Sequence, residues 1–499
     1  LKQIGEGDLS TIEKIKEAFS VEKVTKEFYT EIANWYFWAI DNSYFPEAVE
    51  KEENGRNMAI IKLITRLIFI WFMREENLVP KELFDKNKLK LIINDIDPDS
   101  SSYYLAILQN LFFATLNTKK EERQFRTEVR GLKGYNPDFG NQFVFRHHSY
   151  FINPEKIKDY FSNIPFLNGG LFECLDEGEK NKYIDGFTER KSYQPKVPNR
   201  LFFSEGEMIN LNKYYGTENK RYEVKGIFNI LSSFNFTIDE NSSDDADIAL
   251  DPELLGRVFE NLLASFNPET ATTARKATGS YYTPRGIVDY MVEESLRQYF
   301  KSNLTDIENI DEKLENLFSI ENDKNPFNDN ESKRVVKLIE NVRIVDPAVG
   351  SGAFPMGELN KMVFILNKID PKNELWKQAQ IEVAELIPDA EVRNNTINQI
   401  ENYFTTKKPD YFRKLYLIQK CIFGVDIQQI AVEISKLRFF ISLLVDEDKD
   451  DIQPLPNLDF KIMQGNSLIE FVSYMQKNDD KWNAMVNQIT TLKEHLFNT

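Results

Sequence analysis

Apolar residues recur at helical spacing through the N-terminal part of the chain. Within residues 20–40 they would lie along one face of a helix: Val21, Val24, Phe28, Ile32, Trp35 and Ala39. Residues 60–73 form the most apolar run, but they are interrupted by polar residues and are too few to span a bilayer. This run predicts a buried helix. We predict helices up to about Tyr104, with the aromatic side chains in the core.

The pattern changes twice beyond this segment. Between Lys119 and Tyr222 the periodicity gives way to turns rich in glycine, asparagine and proline. Residues 239–247 are polar and strongly acidic, which is typical of a domain boundary. Because 499 residues exceed what one hydrophobic core usually serves, we predict a mainly helical domain at 1–245 and a second domain at 246–499.

Three apolar segments in the second domain each predict a strand; they begin at Val342, Cys421 and Leu458, and the first strand is predicted to be buried. The polar residue that follows the strand is Asp346, Asp426 or Asn466, and apolar residues at helical spacing follow the first two strands. Alternating strands and helices predict an α/β domain. The stretch between Asp346 and Asp426 is far longer than the roughly 30 residues of one strand-helix-strand unit, so a mainly helical insertion is predicted within residues 370–414.

Composition and charge limit the function. A hydrophobic fraction of 41% with 28% charged residues is typical of a soluble globular protein, and the net charge of −17 argues against DNA binding over the whole surface. Most basic runs are solvated surface, but two remain candidates for phosphate contacts. They are Lys119, Lys120, Arg123, Arg126, Arg130, Lys133 and Arg146, and then Arg190, Lys191, Lys196 and Arg200.

Cysteine and histidine are scarce in the sequence. Cys174 and Cys421 cannot form a disulfide framework, and with only 3 histidines they exclude an ordinary Cys/His zinc cluster. We therefore assign no metal site. No secretory leader or membrane-spanning segment is visible, so we predict a cytoplasmic protein.

The residues after the first predicted strand, 346–354, read D-P-A-V-G-S-G-A-F. Gly350 and Gly352 would let the backbone approach a bulky ligand where a Cβ atom would collide, and Asp346 offers a fixed negative charge. The sequence contains no G-x-x-x-x-G-K-[ST] motif and no G-x-G-x-x-G motif after a strand. A P-loop nucleotide hydrolase is therefore disfavoured, and an oxidoreductase is a weak alternative.

This nine-residue sequence resembles motif I of the S-adenosylmethionine-dependent DNA amino-methyltransferases. The resemblance is greatest to the methyltransferase part of type IIG restriction-modification enzymes, and its specific motifs cover about residues 250–470. It implies a Rossmann-like class I methyltransferase fold whose glycine turn holds the methionine end of S-adenosylmethionine. Asp346, Ala348, Gly350 and Gly352 would then bind the cofactor.

The T-G-S-Y-Y-T-P sequence at residues 278–284 is similar to motif X of that family. Considered alone, it is an ordinary helix start, in which Thr283 is the N-cap and Pro284 opens a helix over residues 285–299. The resemblance implies that the N-terminus of this helix binds the carboxylate of the cofactor's methionine. Thr283 would make the main contact, and Tyr282 would form a wall of the pocket.

Two later units resemble motifs II and III. Asp426 would accept hydrogen bonds from both ribose hydroxyls, with Ile427 packed on the adenine. As a residue at an exposed strand end, Asp426 is expected to contribute little to folding. Asn466 and Ser467 stand where the family's polar side chain meets the adenine amino group, although Asn466 alone is explained equally well as a turn residue.

The family's motif IV, [DNS]-P-P-[YFW], which holds the target amino group, does not occur in the sequence. We therefore expect a fragment without a catalytic residue of its own. The complete protein would methylate adenine N6 in double-stranded DNA, with a nuclease and a target-recognition domain elsewhere in the same polypeptide. The alternative is a cofactor-sensing module that is coupled to a restriction nuclease and transfers no methyl group itself.

Two further observations concern the first domain. Glu223 and Lys225 form a Glu-x-Lys triplet of the kind found in magnesium-dependent nucleases, but no well-placed upstream aspartate supports it. We predict no nuclease in this chain. The first residue is Leu1 rather than methionine, and we expect that residues upstream have been removed.

Overall fold

The computed structural model describes residues 21–125, 143–167, 170–234, 283–406, 409–446, 452, 456–458 and 460–468. Helices, irregular segments and one two-stranded antiparallel sheet make up the part before residue 235, and helices surround a small parallel sheet in the part after residue 282. The boundary predicted at residues 239–247 and the candidate residue Tyr282 lie outside the described residues.

The first part contains nine described α-helices: α1 (Val21–Asn42), α2 (Glu47–Glu50), α3 (Gly55–Glu75), α4 (Lys86–Leu89), α5 (Gln109–Leu111), α6 (Ile157–Phe161), α7 (Arg200–Phe203), α8 (Asn212–Tyr215) and α9 (Ile227–Ser232). Two π-helical segments flank α5: Tyr103–Leu108 and Phe112–Leu116. The 3-10 turns are Lys81–Phe84, Lys120–Glu122, His148–Tyr150, Pro154–Lys156, Gly170–Phe172 and Gly178–Lys180. Strands β1 (Glu207–Ile209) and β2 (Tyr222–Val224) pair antiparallel.

Helices α1 and α3 form the centre of the first part. From Val24 to Ala39 the predicted apolar face of α1 is buried, including Phe28, Ile32 and Trp35. The indole of Trp35 donates to the carbonyl oxygen of Leu201 at 2.5 Å. Helix α3 contains the apolar run at residues 60–73. Both helix predictions are confirmed. Within the described residues, no helix has the length and apolar character needed to cross a membrane.

The second part contains eight described α-helices: α10 (Arg285–Asn303), α11 (Ile310–Phe318), α12 (Asp329–Asn341), α13 (Ala353–Ile369), α14 (Glu374–Glu385), α15 (Ala390–Thr406), α16 (Pro409–Tyr416) and α17 (Gln429–Leu444). The strands are β3 (Ile344–Asp346), β4 (Ile422–Asp426) and β5 (Ile462–Gln464), and the π-helical segment Leu417–Cys421 leads into β4.

Strands β3, β4 and β5 form a parallel sheet with β4 at its centre, which agrees with the α/β prediction. The strands are shorter than predicted, and β3 is not the buried strand that was predicted, since Val345 is 63% exposed. Val342 does not begin β3, because it closes the C-terminus of α12 and its amide donates to the carbonyl oxygen of Leu338 at 3.0 Å. Leu458 does not begin β5, because its carbonyl oxygen accepts the amides of Lys461 and Ile462 in a turn.

The predicted helical insertion lies between α13 and β4 and consists of α14, α15 and α16. Its polar anchor is Asp370, whose carboxylate accepts the amide of Trp376 at 2.8 Å at the start of α14. The fully buried guanidinium of Arg413 in α16 donates to the carbonyl oxygen of Asp370. These contacts hold the insertion against the end of α13, so it extends the fold without separating β3 from β4.

Helix α17 joins the two parts of the structure, because it packs on β5 and also on α3. A cavity of about 410 Å³ lies beside this junction. Lys62 and Arg66 of α3 line it from one side, and Gln429 and Glu433 of α17 line it from the other. The first turns of α17 therefore face α3 of the first part across this cavity.

Two residues of the first basic stretch serve the fold. The guanidinium of Arg123 donates to four carbonyl oxygens at 2.9 to 3.1 Å, those of Thr115, Thr118, Phe161 and Ile164. Arg146 is 1% exposed. The structure therefore argues against a phosphate contact by Arg123 or Arg146, because one guanidinium is already bonded to the backbone and the other is buried. Arg126, Arg130 and Lys133 lie outside the described residues.

Candidate functional site at the carboxyl edge of the sheet

The carboxyl ends of the parallel strands bring three predicted motifs to one edge. Asp346 is the last residue of β3, Asp426 is the last residue of β4, and Asn466 follows β5 closely. The amide of Gly465 donates to the carbonyl oxygen of Asp426 at 2.8 Å, so the β5 exit runs directly beside the end of β4. Ligands of open α/β sheets bind at this edge, and the sequence-predicted residues of motifs I, II and III meet there.

The turn after β3 requires its glycines. Gly350 and Gly352 have φ angles of +52° and +85°, which L-amino acids with side chains rarely adopt. A Cβ atom on Gly352 would also lie 2.5 Å from the Oγ atom of Ser435. The amide of Gly350 donates to Oδ2 of Asp426 at 2.9 Å, which fixes the turn to the end of the neighbouring strand.

The carboxylate of Asp346 is only partly satisfied. Its Oδ1 atom accepts the amide of Ala348 at 3.0 Å, whereas its Oδ2 atom is buried and has no hydrogen-bond partner within the described part of the chain. Burial raises the pKa of Asp346, and repulsion by the Asp426 carboxylate adds to the increase. Because an unsatisfied buried acceptor costs about 1–3 kcal/mol, this oxygen is suited to a donor group or cation from a ligand.

The carboxylate of Asp426 organises the backbone around it. Its Oδ2 atom accepts the amide of Gly350, and its Oδ1 atom accepts the amide of Gln428 at 2.8 Å. A carboxylate offers about four acceptor positions, so each oxygen retains capacity for one more hydrogen bond. The next residue, Ile427, is 61% exposed, and its side chain is available for an apolar contact at the same edge.

The residues after β5 take part in local structure. The Oδ1 atom of Asn466 accepts the amide of Leu468 at 3.0 Å, which is the bonding of a turn asparagine. The hydroxyl of Ser467 donates to the carbonyl oxygen of Pro347 at 2.6 Å and links this segment to the turn after β3. The side-chain amide nitrogen of Asn466 remains a potential donor, and its contact with adenine remains a prediction.

Thr283 does not cap α10. The helix begins at Arg285, and Pro284 is the N-cap, with φ −57° and ψ 142° and no side-chain cap hydrogen bond. The carbonyl oxygen of Pro284 accepts the amides of Ile287 and Val288 at 2.9 and 3.1 Å. The predicted cap is therefore wrong, because proline itself adopts the extended conformation that precedes the helix. Half-buried Thr283 lies immediately before this start.

Helix α17 contributes two contacts to the glycine turn that the sequence analysis missed. Ser435 lies against Gly352, and the guanidinium of Arg438 donates to the carbonyl oxygen of Ser351 at 3.1 Å. Both residues are buried. The available signal was a serine and an arginine within a predominantly apolar helix, which also contains Leu437 and Ile441. Such polar residues in a core need partners.

The Glu-x-Lys triplet lies in the first part, at β2. Glu223 is exposed, and the ammonium of Lys225 lies 3.6 Å from a carboxylate oxygen of Glu31 in α1. The triplet thus supplies an ion pair that connects β2 to α1. The prediction that this chain contains no nuclease centre stays a prediction.

Among the described residues, the side chains of Cys174, Asp176 and Asp185 come close enough together to hold a metal ion. The carboxylate of Asp176 accepts four backbone amides, those of Ile184, Asp185, Gly186 and Phe187. Asp185 pairs with Arg66 at 2.9 Å and accepts the amide of Leu175. These bonds give Asp176 and Asp185 a structural role, because they hold the backbone of the loop in place.

The fold and this edge define the class of protein: an α/β protein with a small parallel sheet. A protein of Methanocaldococcus jannaschii named "Putative type II restriction enzyme and methyltransferase" is 26% identical to this chain over 437 residues. The similarity covers 84% of this chain and 28% of that protein, so the chain spans less than a third of the relative's length. No family model and no solved structure matches the chain.

Proposed function

We propose that this chain is the cofactor-binding part of a DNA amino-methyltransferase from a restriction-modification system. The observation that carries the proposal is the glycine turn, held between Asp346 and Asp426 at the carboxyl edge of a parallel sheet. The similarity to a protein named as a restriction enzyme and methyltransferase supports the same class of activity.

S-adenosylmethionine fits the donor and acceptor groups at this edge. An ammonium group can donate to the buried, unsatisfied Oδ2 atom of Asp346, and ribose hydroxyls can donate to the remaining acceptor positions of Asp426. We assign apolar contact with the adenine to Ile427 and a polar contact to Asn466. Thr283, which precedes the N-terminus of α10, is our candidate for the carboxylate.

The remaining assigned residues shape or close the same pocket. The amide of Ala348 holds Oδ1 of Asp346 and so orients the carboxylate. Ser467 ties the β5 exit to Pro347. Tyr282 lies outside the described residues and is assigned to the pocket by the motif alone.

When bound, the cofactor supplies an activated methyl group, which we propose is transferred to adenine N6 in double-stranded DNA. Because this methyl group needs no strong base for its transfer, the protein contributes mainly by positioning and electrostatics. The base would have to leave the duplex to reach the pocket. The sequence contains no [DNS]-P-P-[YFW] tetrapeptide, and we assign no residue of this chain to holding the target amino group.

We assign target recognition and DNA cleavage to other parts of the same polypeptide. The M. jannaschii relative, whose name includes both a restriction enzyme and a methyltransferase, is more than three times as long as the segment that this chain matches, since that segment is 28% of it. This arrangement is consistent with the net charge of −17, which disfavours broad DNA binding by this chain alone.

Isothermal calorimetry with S-adenosylmethionine and S-adenosylhomocysteine tests the proposal. We expect saturable binding by the wild-type chain and an affinity about ten- to a hundredfold lower for Asp426→Ala, which loses a charge-assisted acceptor. Asp311→Ala is the matched control, because Asp311 pairs with Lys301 on the surface and lies on α11. No heat from a chain with a cooperative unfolding transition would show that the cofactor assignment is wrong.

A further inference from the structure

The carbonyl oxygen at the centre of the glycine turn is held by a residue outside the recognised motifs. Ser351 lies between Gly350 and Gly352 and is 1% exposed. Its carbonyl oxygen accepts the Nη1 hydrogen of Arg438 at 3.1 Å. Backbone carbonyls in such a buried position need a donor, and here the donor comes from the middle of α17.

The position of Arg438 in the core indicates a specific purpose. Arg438 is 2% exposed and is flanked by Leu437 and Phe439, which are fully buried. Burying a guanidinium is expensive unless its hydrogen bonds are used, and a methionine would fill the space without desolvating a charge. The bond to Ser351 gives the arginine a function that an apolar side chain cannot supply.

The same helix also fixes the turn by contact. The side chain of Ser435, one turn before Arg438, occupies the space that a Cβ atom on Gly352 would need. On its other side the turn is held by Asp426, which accepts the amide of Gly350 at 2.9 Å. Helix α17 starts at Gln429, three residues after Asp426. The proposed ribose ligand and both turn contacts therefore belong to one continuous segment of chain.

We infer that Arg438 is a positioning residue for the cofactor turn: it holds the Ser351 carbonyl and thereby fixes the backbone that faces the cofactor. The expected effect on cofactor binding rests on the proposed function, whereas the claim that Arg438 holds the turn does not. Arg438 touches no reacting atom. Its loss should loosen the turn and weaken cofactor binding while the rest of the domain stays folded.

The test compares Arg438→Met with Arg413→Met. Arg413 is another buried arginine that donates to a backbone carbonyl, that of Asp370, but it lies in the insertion and does not contact the turn. Each variant is measured at the same interval below its own melting temperature. Two readouts are used: the dissociation constant for S-adenosylhomocysteine, and the hydrogen exchange of peptides that cover residues 346–356.

We expect Arg438→Met to raise the dissociation constant about tenfold and to speed exchange in the turn peptides, and Arg413→Met to change neither. Arg438→Lys should recover part of the affinity, because an ammonium can still donate one hydrogen bond to the carbonyl. The inference is overturned if Arg438→Met leaves exchange in the turn unchanged, or if it weakens binding no more than Arg413→Met does.

The two ideas can fail separately. If the wild-type chain binds no cofactor, the proposed function is wrong, and the exchange of residues 346–356 alone decides whether Arg438 holds the turn. If the wild-type chain binds the cofactor and the Arg438 variants behave like Arg413→Met, the proposed function stands and the positioning role is wrong.

Discussion

The amide of Gly350 donates to the carboxylate of Asp426 at 2.9 Å, although 76 residues separate the two positions. This bond joins the first and second predicted cofactor motifs directly. Gln428 donates to the other carboxylate oxygen at 2.8 Å, so the side chain also holds the backbone that leads into α17. Asp426 is thus a structural residue as well as a proposed ligand, which argues against the expectation that it contributes little to folding.

The first prediction follows from these two bonds. Asp426→Asn retains one good acceptor and places an amide nitrogen near one of the two N–H groups, so we expect the free energy of unfolding to fall by about 1–3 kcal/mol. Urea unfolding measures the change. Asp311→Asn, which alters an exposed ion pair, should change it little. Equal stabilities of the wild type and Asp426→Asn would contradict a structural role for this carboxylate.

The second prediction concerns Glu358, a buried residue of α13. Burial raises the pKa of its carboxyl group to about 8, and its Oε2 atom has no hydrogen-bond partner within the described residues. Between pH 4.5, the ordinary value, and about 8, the unfolded state releases the proton while the folded state keeps it. The contribution of Glu358 to the free energy of unfolding is therefore greatest below pH 4.5 and falls as the pH rises towards 8.

Glu358→Gln should remove this pH-dependent loss, which is on the order of a few kcal/mol at its largest. The measurement is the free energy of unfolding of wild type and variant across the pH range. Exposed Glu312 on α11 provides the control, since Glu312→Gln should leave the wild-type pH dependence in place. Parallel curves for wild type and Glu358→Gln would show that Glu358 titrates normally.

The sequence predicted the local features of the fold better than the contacts between distant segments. Helix α3 and the polar ends of β3 and β4 were predictable because periodicity and the glycine turn act over a few residues. The bond from Arg438 to Ser351 was not, because it spans 87 residues and depends on where α17 packs. Thr283 was misassigned for a local reason, since Pro284 takes the N-cap conformation itself.

The third prediction concerns Lys62 at the junction of α3 and α17. Burial lowers the pKa of Lys62, and the nearby Arg66 lowers it further, against attraction by Asp185 and Glu433. Below the ordinary lysine value of 10.5, the unfolded state binds this proton more strongly than the folded state does. Its charge therefore destabilises the fold near neutral pH, and stability should rise as the pH increases towards that value.

Lys62→Met should raise the free energy of unfolding near pH 7 by roughly 1 kcal/mol and reduce its rise at alkaline pH, because an apolar side chain of similar length removes the buried charge. Lys90→Met, at an exposed position after α4, is the control. A loss of stability in Lys62→Met would show that its attraction to Asp185 and Glu433 outweighs the cost of burial.

The fourth prediction is that this chain does not cleave DNA in the presence of magnesium. Lys225 of the Glu-x-Lys triplet pairs with Glu31 of α1, so the triplet is explained as an interaction between β2 and α1. Incubation with supercoiled plasmid and gel analysis is the measurement. Cleavage that is lost on Glu223→Ala would place a nuclease centre here.

The last prediction is that this chain transfers no methyl group to DNA, even where it binds the cofactor. The [DNS]-P-P-[YFW] tetrapeptide does not occur in its sequence, so the groups proposed to hold the target amino nitrogen beside the methyl group are missing from it. Correct positioning of two reactants supplies up to about 7–11 kcal/mol of barrier reduction, and without it transfer should fall below detection. Incubation of duplex DNA with radiolabelled S-adenosylmethionine is the measurement, and labelled adenine in the product would show that the acceptor site lies within these residues. Asp426→Ala would then separate the possibilities, because transfer that persists unchanged in this variant would not depend on the carboxyl edge described here.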